Sequence, residues 1–175
     1  MRVAGLRSFA VRAAGGCGQR CVVGDGQKGK PMDKPSVRVV RPDQLSDDTP
    51  QTPGLVRRVA FDSRNPDAQV LSAFLSTVLP GAATGAHHHG DQETILYVVE
   101  GAARYRWGER LEHVVEAGPG DFVFIPAHTV HQEINASADN PTVWVVTRSQ
   151  PEPIVVNLPE LDKFAEPAAR DYRHP

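Results

Sequence analysis

The chain has 175 residues, room for one domain with terminal extensions. Its 19 Lys and Arg against 21 Asp and Glu leave a formal charge of -2, which removes the electrostatic reason to expect nucleic acid or an anionic membrane as a partner. With 15 Gly and 15 Pro the chain needs many turns, which favours short strands over long helices, and no apolar run approaches the roughly 20 residues that span a bilayer.

Residues 1–31 carry Arg2, Arg7, Arg12 and Arg20 and no acid before Asp25. They lack an apolar stretch long enough for a secretory signal. Two readings stand: an organellar transit segment, or an upstream extension before a natural start at Met32. The expected location is cytoplasmic, with organellar import as the alternative under the first reading. Cys17 and Cys21, the only cysteines, are spaced C-x3-C with no second ligand pair nearby, so they read as incidental. Residues 32–67 are expected to hold N-terminal strands and loops, 68–150 the core of a barrel, and 151–175 a C-terminal strand, a short helix and a tail.

Strand signals begin with SVRVV (36–40), LVRRVAF (55–61) and VLSAFLSTVL (70–79), rich in β-branched and aromatic residues. ETILYVVE, ARYRW, LEHVVEA, DFVFIP, VHQEI and TVWVVTR follow at short spacing, each bounded by Gly, Pro or Asn. Ile95, Tyr97 and Val99 fall on one face of their strand, Leu96 and Val98 on the other. A strand apolar on both faces needs cover, which predicts a sandwich or closed antiparallel barrel, an all-β fold. Only PELDKFAEPAA (159–169) reads as helical, with Pro159 in its first turn and Glu160 and Asp162 at the positive end of the dipole.

Five of the seven histidines fall in two segments, GAATGAHHHGDQETILYVVEG (81–101) and GDFVFIPAHTVHQEIN (120–135). Imidazoles at i and i+2 on a strand point the same way, so His87 and His89 share a face and His88 opposes them. With a carboxylate just beyond, Glu93, and His131 from a facing strand, they form a three-nitrogen, one-oxygen set that suits one divalent Fe, Mn, Zn, Ni or Co. Such an ion keeps positions open for water or a small-molecule substrate. Glu133 alternates with His131, which makes it a candidate general base, a solvated rim position being the plainer reading. Tyr97, Tyr105 and Trp107 are candidates for a pocket wall, Tyr97 with a catalytic role, or else plain core. Asn135 is a candidate to orient a bound group or to pin its strand. His113 and His174 carry no functional signal.

The two segments resemble the paired motifs of the cupin superfamily. Gly81, His87, His89 and Glu93 fit G-x5-H-x-H-x3,4-E-x6-G, and Gly120, Pro126, His131 and Asn135 fit G-x5-P-x-G-x2-H-x3-N. The chain is similar to small single-domain bacterial cupins in its RWGERLE hairpin and C-terminal PELD. It departs from the pattern in two places. Seven residues separate Glu93 from Gly101, so the other permitted spacing places the carboxylate position on Thr94. His128 stands where the family has Gly, which adds an imidazole as a candidate cofactor contact.

The resemblance implies an antiparallel double-stranded β-helix, or jelly roll, with one mononuclear metal in its mouth. It implies oxygenases, isomerases, decarboxylases and epimerases as activities, among which the fold does not choose. A metal-dependent dioxygenase is the leading expectation. A redox-neutral isomerase or lyase, a non-catalytic small-molecule-binding barrel, and a metal-free Tyr/His acid–base site are the alternatives. No helix-turn-helix flanks the barrel, and no paired Ser or Cys nucleophile lies near the motifs. A homodimer is expected because small barrels have unpaired edges and SVRVVR is a strand able to pair with a neighbour.

Overall fold

The computed structural model describes residues 37–64 and 68–168. The readings made for residues 1–31, including Cys17 and Cys21, and for His174 lie outside the described residues. Residues from Val39 onward cluster as one unit.

Among the described residues ten strands form: β1 (Leu55–Phe61), β2 (Ser72–Val78), β3 (His87–His88), β4 (Thr94–Glu100), β5 (Ala103–Trp107), β6 (His113–Ala117), β7 (Phe122–Ile125), β8 (His131–Asn135), β9 (Thr142–Arg148) and β10 (Val156–Asn157). They make two five-stranded sheets, β1-β2-β9-β4-β7 and β10-β3-β8-β5-β6, with every pairing antiparallel. This is the expected double-stranded β-helix. No helix of the described residues is long and apolar enough to cross a membrane.

Alternation decides what each sheet buries. In the first sheet Leu55, Val59, Phe74, Val78, Leu96, Val98, Ile125, Trp144 and Val146 point inward. In the second, Ala103, Tyr105 and Ala117 meet them, and the Tyr105 and Trp144 rings, 5.6 Å apart, join the two sheets. Burying Trp144 and Leu96 completely stabilises the barrel by roughly 2–3 kcal/mol for each side chain. At the end of the barrel nearest β3 the inward positions turn polar: Ser72, Thr94, Arg148, His87, His89 and His131 are all buried.

The tight corners rest on glycine. Gly101 has φ +84°, and a Cβ there would meet the Pro141 carbonyl oxygen at 2.6 Å, so the β4–β5 turn admits no side chain.

The structure departs from expectation in two places. Residues 37–40 of SVRVV form no strand and Val39 is exposed; the open side of β1 is met instead by Ser46, which bridges to Val59. A short 3-10 helix, Pro42–Gln44, follows instead. The C-terminal PELD segment is a 3-10 helix, Pro159–Phe164, held by tertiary contact: the Ala86 N–H donates to Asp162 Oδ1 at 2.8 Å and the Leu158 N–H to the Ala86 carbonyl at 2.9 Å. The short strands β3 and β10 carry too few residues to show periodicity in sequence.

Candidate metal centre

Strand β3 carries His87 and His88, and His89 follows it; β8 opens on His131, which pairs in register with His87. His87, His89 and His131 are 3%, 2% and 1% exposed, and one ligand nitrogen from each lies within 4.8 Å of the others. His88 points the other way, as alternation requires, and its Nδ1 accepts the Gly90 N–H.

Each buried imidazole is fixed through its other nitrogen. His87 Nδ1 lies 3.0 Å from the Gly85 carbonyl, His89 Nδ1 2.9 Å from that of Ile154, and His131 Nδ1 2.8 Å from that of Thr129. A carbonyl only accepts, so Nδ1 carries the proton in all three and Nε2 presents a lone pair. Burial holds the rings neutral: desolvation lowers all three, His131 to about 3 with His87 as the next cause. His131 Nε2 is buried with no hydrogen-bond partner. Three neutral, oriented imidazoles and an orphaned lone pair fit one divalent ion.

The carboxylate is not where the spacing put it. Glu93 is exposed, and its backbone is what is engaged: its N–H donates to Ser149 Oγ at 3.0 Å and its carbonyl accepts from the Ser149 N–H at 3.1 Å. The inward neighbours are Gln92 and Thr94. Thr94 thus holds the position of the motif's carboxylate, its Oγ1 buried without a partner. Gln92 instead clamps the loop after β9, its Nε2 donating to the Glu152 carbonyl at 2.6 Å. The physical reason is strand parity: β4 buries Thr94, Leu96 and Val98, so Glu93 shares the outer face with Ile95.

The other candidates separate. Tyr97 lies on that outer face, its ring 4.8 Å from Phe122, so the structure does not bring it to the cluster. Tyr105 faces inward, its hydroxyl buried without a partner and its ionisation pushed up by burial and then by Glu133. Glu133 is buried rather than on a rim, on the His131 face of β8, and its charge acts on His87, Arg57 and Arg148. Asn135 is spent on structure: its Nδ2 donates to the Val78, Leu79 and Asn140 carbonyls, and its Oδ1 accepts from Ser137 N and Thr142 Oγ1. That leaves its amide no capacity for a bound group. His128 is exposed, with Nε2 2.7 Å from Asp91 Oδ1. Its φ of +58° is the left-handed conformation that a Gly at this place adopts without strain.

The sequence reading missed Arg148. It stands in phase with Thr142, Trp144 and Val146, the inward positions of β9, and that parity was the available signal. Its Nη2 donates to His89 Nε2 at 3.2 Å and its Nη1 to the Ile154 carbonyl at 3.2 Å. Desolvation lowers its pKa to about 10, opposed by Glu133.

Two cavities lie near the cluster, one reaching it through Arg148 and the other bordered by His131. One of about 270 Å³ is bordered by Arg57, Ser72, Phe74 and Arg148 and by the loop from Pro151 to Asn157. The other, about 130 Å³, lies against His131 and is bordered mainly by Tyr105, Trp107, Val123, Ile125 and Pro126.

Residues 74–148 match the family model described as the cupin domain. No curated relative matches the chain. Among solved structures, the chain is similar to the Lactobacillus farciminis oxalate decarboxylase formate complex, at 22% identity and TM-score 0.57, over 66% of this chain and 34% of that one. It is also similar to Bacillus subtilis oxalate decarboxylase, studied for its Mn(II) centres, at 24% identity and TM-score 0.54, over 62% and 30%. An uncharacterized Klebsiella pneumoniae protein with a double-stranded β-helix domain matches at 18% identity and TM-score 0.54, over 70% and 97%. The chain spans about a third of the length of the decarboxylases. At these identities the likeness is one of fold.

Proposed function

We propose, for a chain whose residues 74–148 are a cupin domain, that His87, His89 and His131 hold one divalent transition metal and that the site acts on a small organic molecule. The observation that carries this reading is the convergence of three lone pairs whose opposite nitrogens are all tied to backbone carbonyls. A bound ion would supply Lewis acidity and open coordination positions.

The chain's own residues do the rest. The three carbonyl contacts orient the imidazoles. Arg148 donates to His89 Nε2, a contact that an ion on that nitrogen would replace, and offers positive charge beside the cluster. Glu133, buried on the His131 face of β8 with Tyr105 opposite it in register, is the acid–base candidate. The cavity at His131 offers a mainly apolar wall on that side for a bound molecule.

The reaction we favour is a dioxygenase-type oxidation, supported by that small apolar cavity beside an N3 site. Thr94 in place of a carboxylate supports a second, redox-neutral reading as isomerase or lyase, because a site of neutral ligands leaves the full charge of the ion to polarise a carbonyl. His131→Ala should lose stoichiometric metal by elemental analysis, and a full equivalent retained would sink the assignment. Oxygen uptake by the iron-loaded protein over catechols, diketones, flavonols and thiols then decides the class. No uptake, with turnover of a sugar or keto acid by the zinc or manganese form, would select the redox-neutral reading.

A further inference from the structure

Ser72, Arg148 and Thr94 form a row across β2, β9 and β4, since both Ser72 and Thr94 pair in register with Arg148. All three face inward and are buried. Among the described residues, six buried side-chain polar atoms lack a hydrogen-bond partner, and this row holds three of them: Ser72 Oγ, Arg148 Nε and Thr94 Oγ1. Buried polar groups are ordinarily paired, so three neighbouring orphans on one row mark a place where something else supplies the partners.

The charges point to what that is. Two arginines border the 270 Å³ cavity, Arg57 and Arg148. Asp62 also borders it, but its carboxylate is taken by Arg64, 2.7 Å away. Glu133 is the one remaining buried carboxylate whose charge acts on both arginines, and it can balance only one of them. Arg148 is buried, and Arg57 is half-buried with its Nη1 donating to the Pro50 carbonyl and its Nη2 to Thr52 Oγ1; an unbalanced cation so placed is costly, and an anion brought in by a ligand removes that cost. The guanidinium fork matches a carboxylate in two parallel hydrogen bonds. Val59, Phe74, Pro151, Pro153 and Val155 give the wall an apolar side, and Thr49, Gln51, Thr52 and Asn157 complete it with polar groups. At about 30 Å³ per water, the volume holds roughly nine waters, or an organic molecule of similar heavy-atom count.

We propose that this cavity binds a small organic acid, its carboxylate against Arg148, Arg57 and Ser72 and its carbon body against the Phe74 and proline wall. The assignment deepens the metal-centre reading, naming the class of molecule that site acts on, because Arg148 bridges the cavity to His89. The cavity itself is built from groups that ligate nothing, so it can be tested apart from the metal.

The test is calorimetric titration of the full chain with succinate, with succinamide and sulfate as the uncharged and inorganic comparisons. Arg57→Met, Arg57→Lys and Ser72→Ala are run beside the wild type, with melting temperature and metal content recorded for each. The expected result is succinate binding that Arg57→Met weakens about tenfold or more, Ser72→Ala weakens measurably and Arg57→Lys partly restores, at unchanged metal content. Succinamide or sulfate binding as tightly as succinate would overturn the proposal. So would wild-type affinity in both Arg57→Lys and Ser72→Ala if Arg57→Met fails to fold. A wild type that takes up no metal yet binds succinate in this pattern refutes the metal reading and leaves the cavity standing. Metal uptake without succinate binding does the reverse.

Discussion

Thr94 and Glu93 are adjacent in sequence, yet one is fully buried beside Arg148 and the other exposed. A strand has two faces, so a single residue of spacing decides whether a carboxylate meets the cluster or water. Two variants follow from that parity. Glu93→Ala should keep a full equivalent of metal and lose less than about 0.5 kcal/mol of stability, the range for a surface change. Thr94→Glu places a carboxylate between Arg148 and the histidines and should tighten metal binding in a competition with a chelator. Loss of metal in Glu93→Ala would return that residue to the ligand set.

At the scale of elements, the C-terminal half of the cluster depends on how β8 is anchored at both ends. Its first residue is a candidate ligand, and its last, Asn135, ties β8 to the turns after β2 and before β9 through five hydrogen bonds. Removing that amide leaves three carbonyls and a buried hydroxyl with a lost partner. Asn135→Ala should therefore cost about 2–4 kcal/mol in denaturant unfolding. Metal content in the folded fraction should be unchanged, and a selective loss of metal at wild-type stability would restore a ligand-orienting role. The loop after β9 is the corresponding strap on the other side. Gln92 holds its Glu152 carbonyl, while His89 and Arg148 share the Ile154 carbonyl. The Gln92 and His89 contacts are not visible in sequence, because each joins residues some 60 positions apart.

For the whole molecule, the outer face of the first sheet is unusually apolar. Phe122 is 73% exposed and Phe124 56%, with Ile95, Val99 and Val145 also exposed. Such a contiguous face is what an interface between copies would cover. The expected homodimer therefore rests on this face rather than on residues 37–40, which form no strand. Light scattering at micromolar concentration should give twice the mass of the chain, and Phe122→Glu should halve it. A wild-type monomer would remove the expectation.

Strand positions and the three histidines were legible because both depend on local rules. Period-two alternation with Gly and Pro punctuation places LVRRVAF, ARYRW and TVWVVTR on their observed strands to the residue. The i, i+2 spacing puts His87 and His89 on one face without reference to the rest of the chain. The fourth position of the site was not legible in the same way. Glu93 satisfied one permitted spacing and Thr94 the other, and only the register of β4 against β9 selects Thr94. Tyr97 and Tyr105 are likewise the same residue type on strands consecutive in sequence, and the packing of one sheet on the other decides that Tyr105 is inside. Arg148, Arg57 and Ser72 come from three strands spread over more than 90 residues of sequence. Their common cavity exists only once two sheets have closed, because the burial that makes an arginine and a serine informative is a property of the assembled barrel and not of any segment of chain.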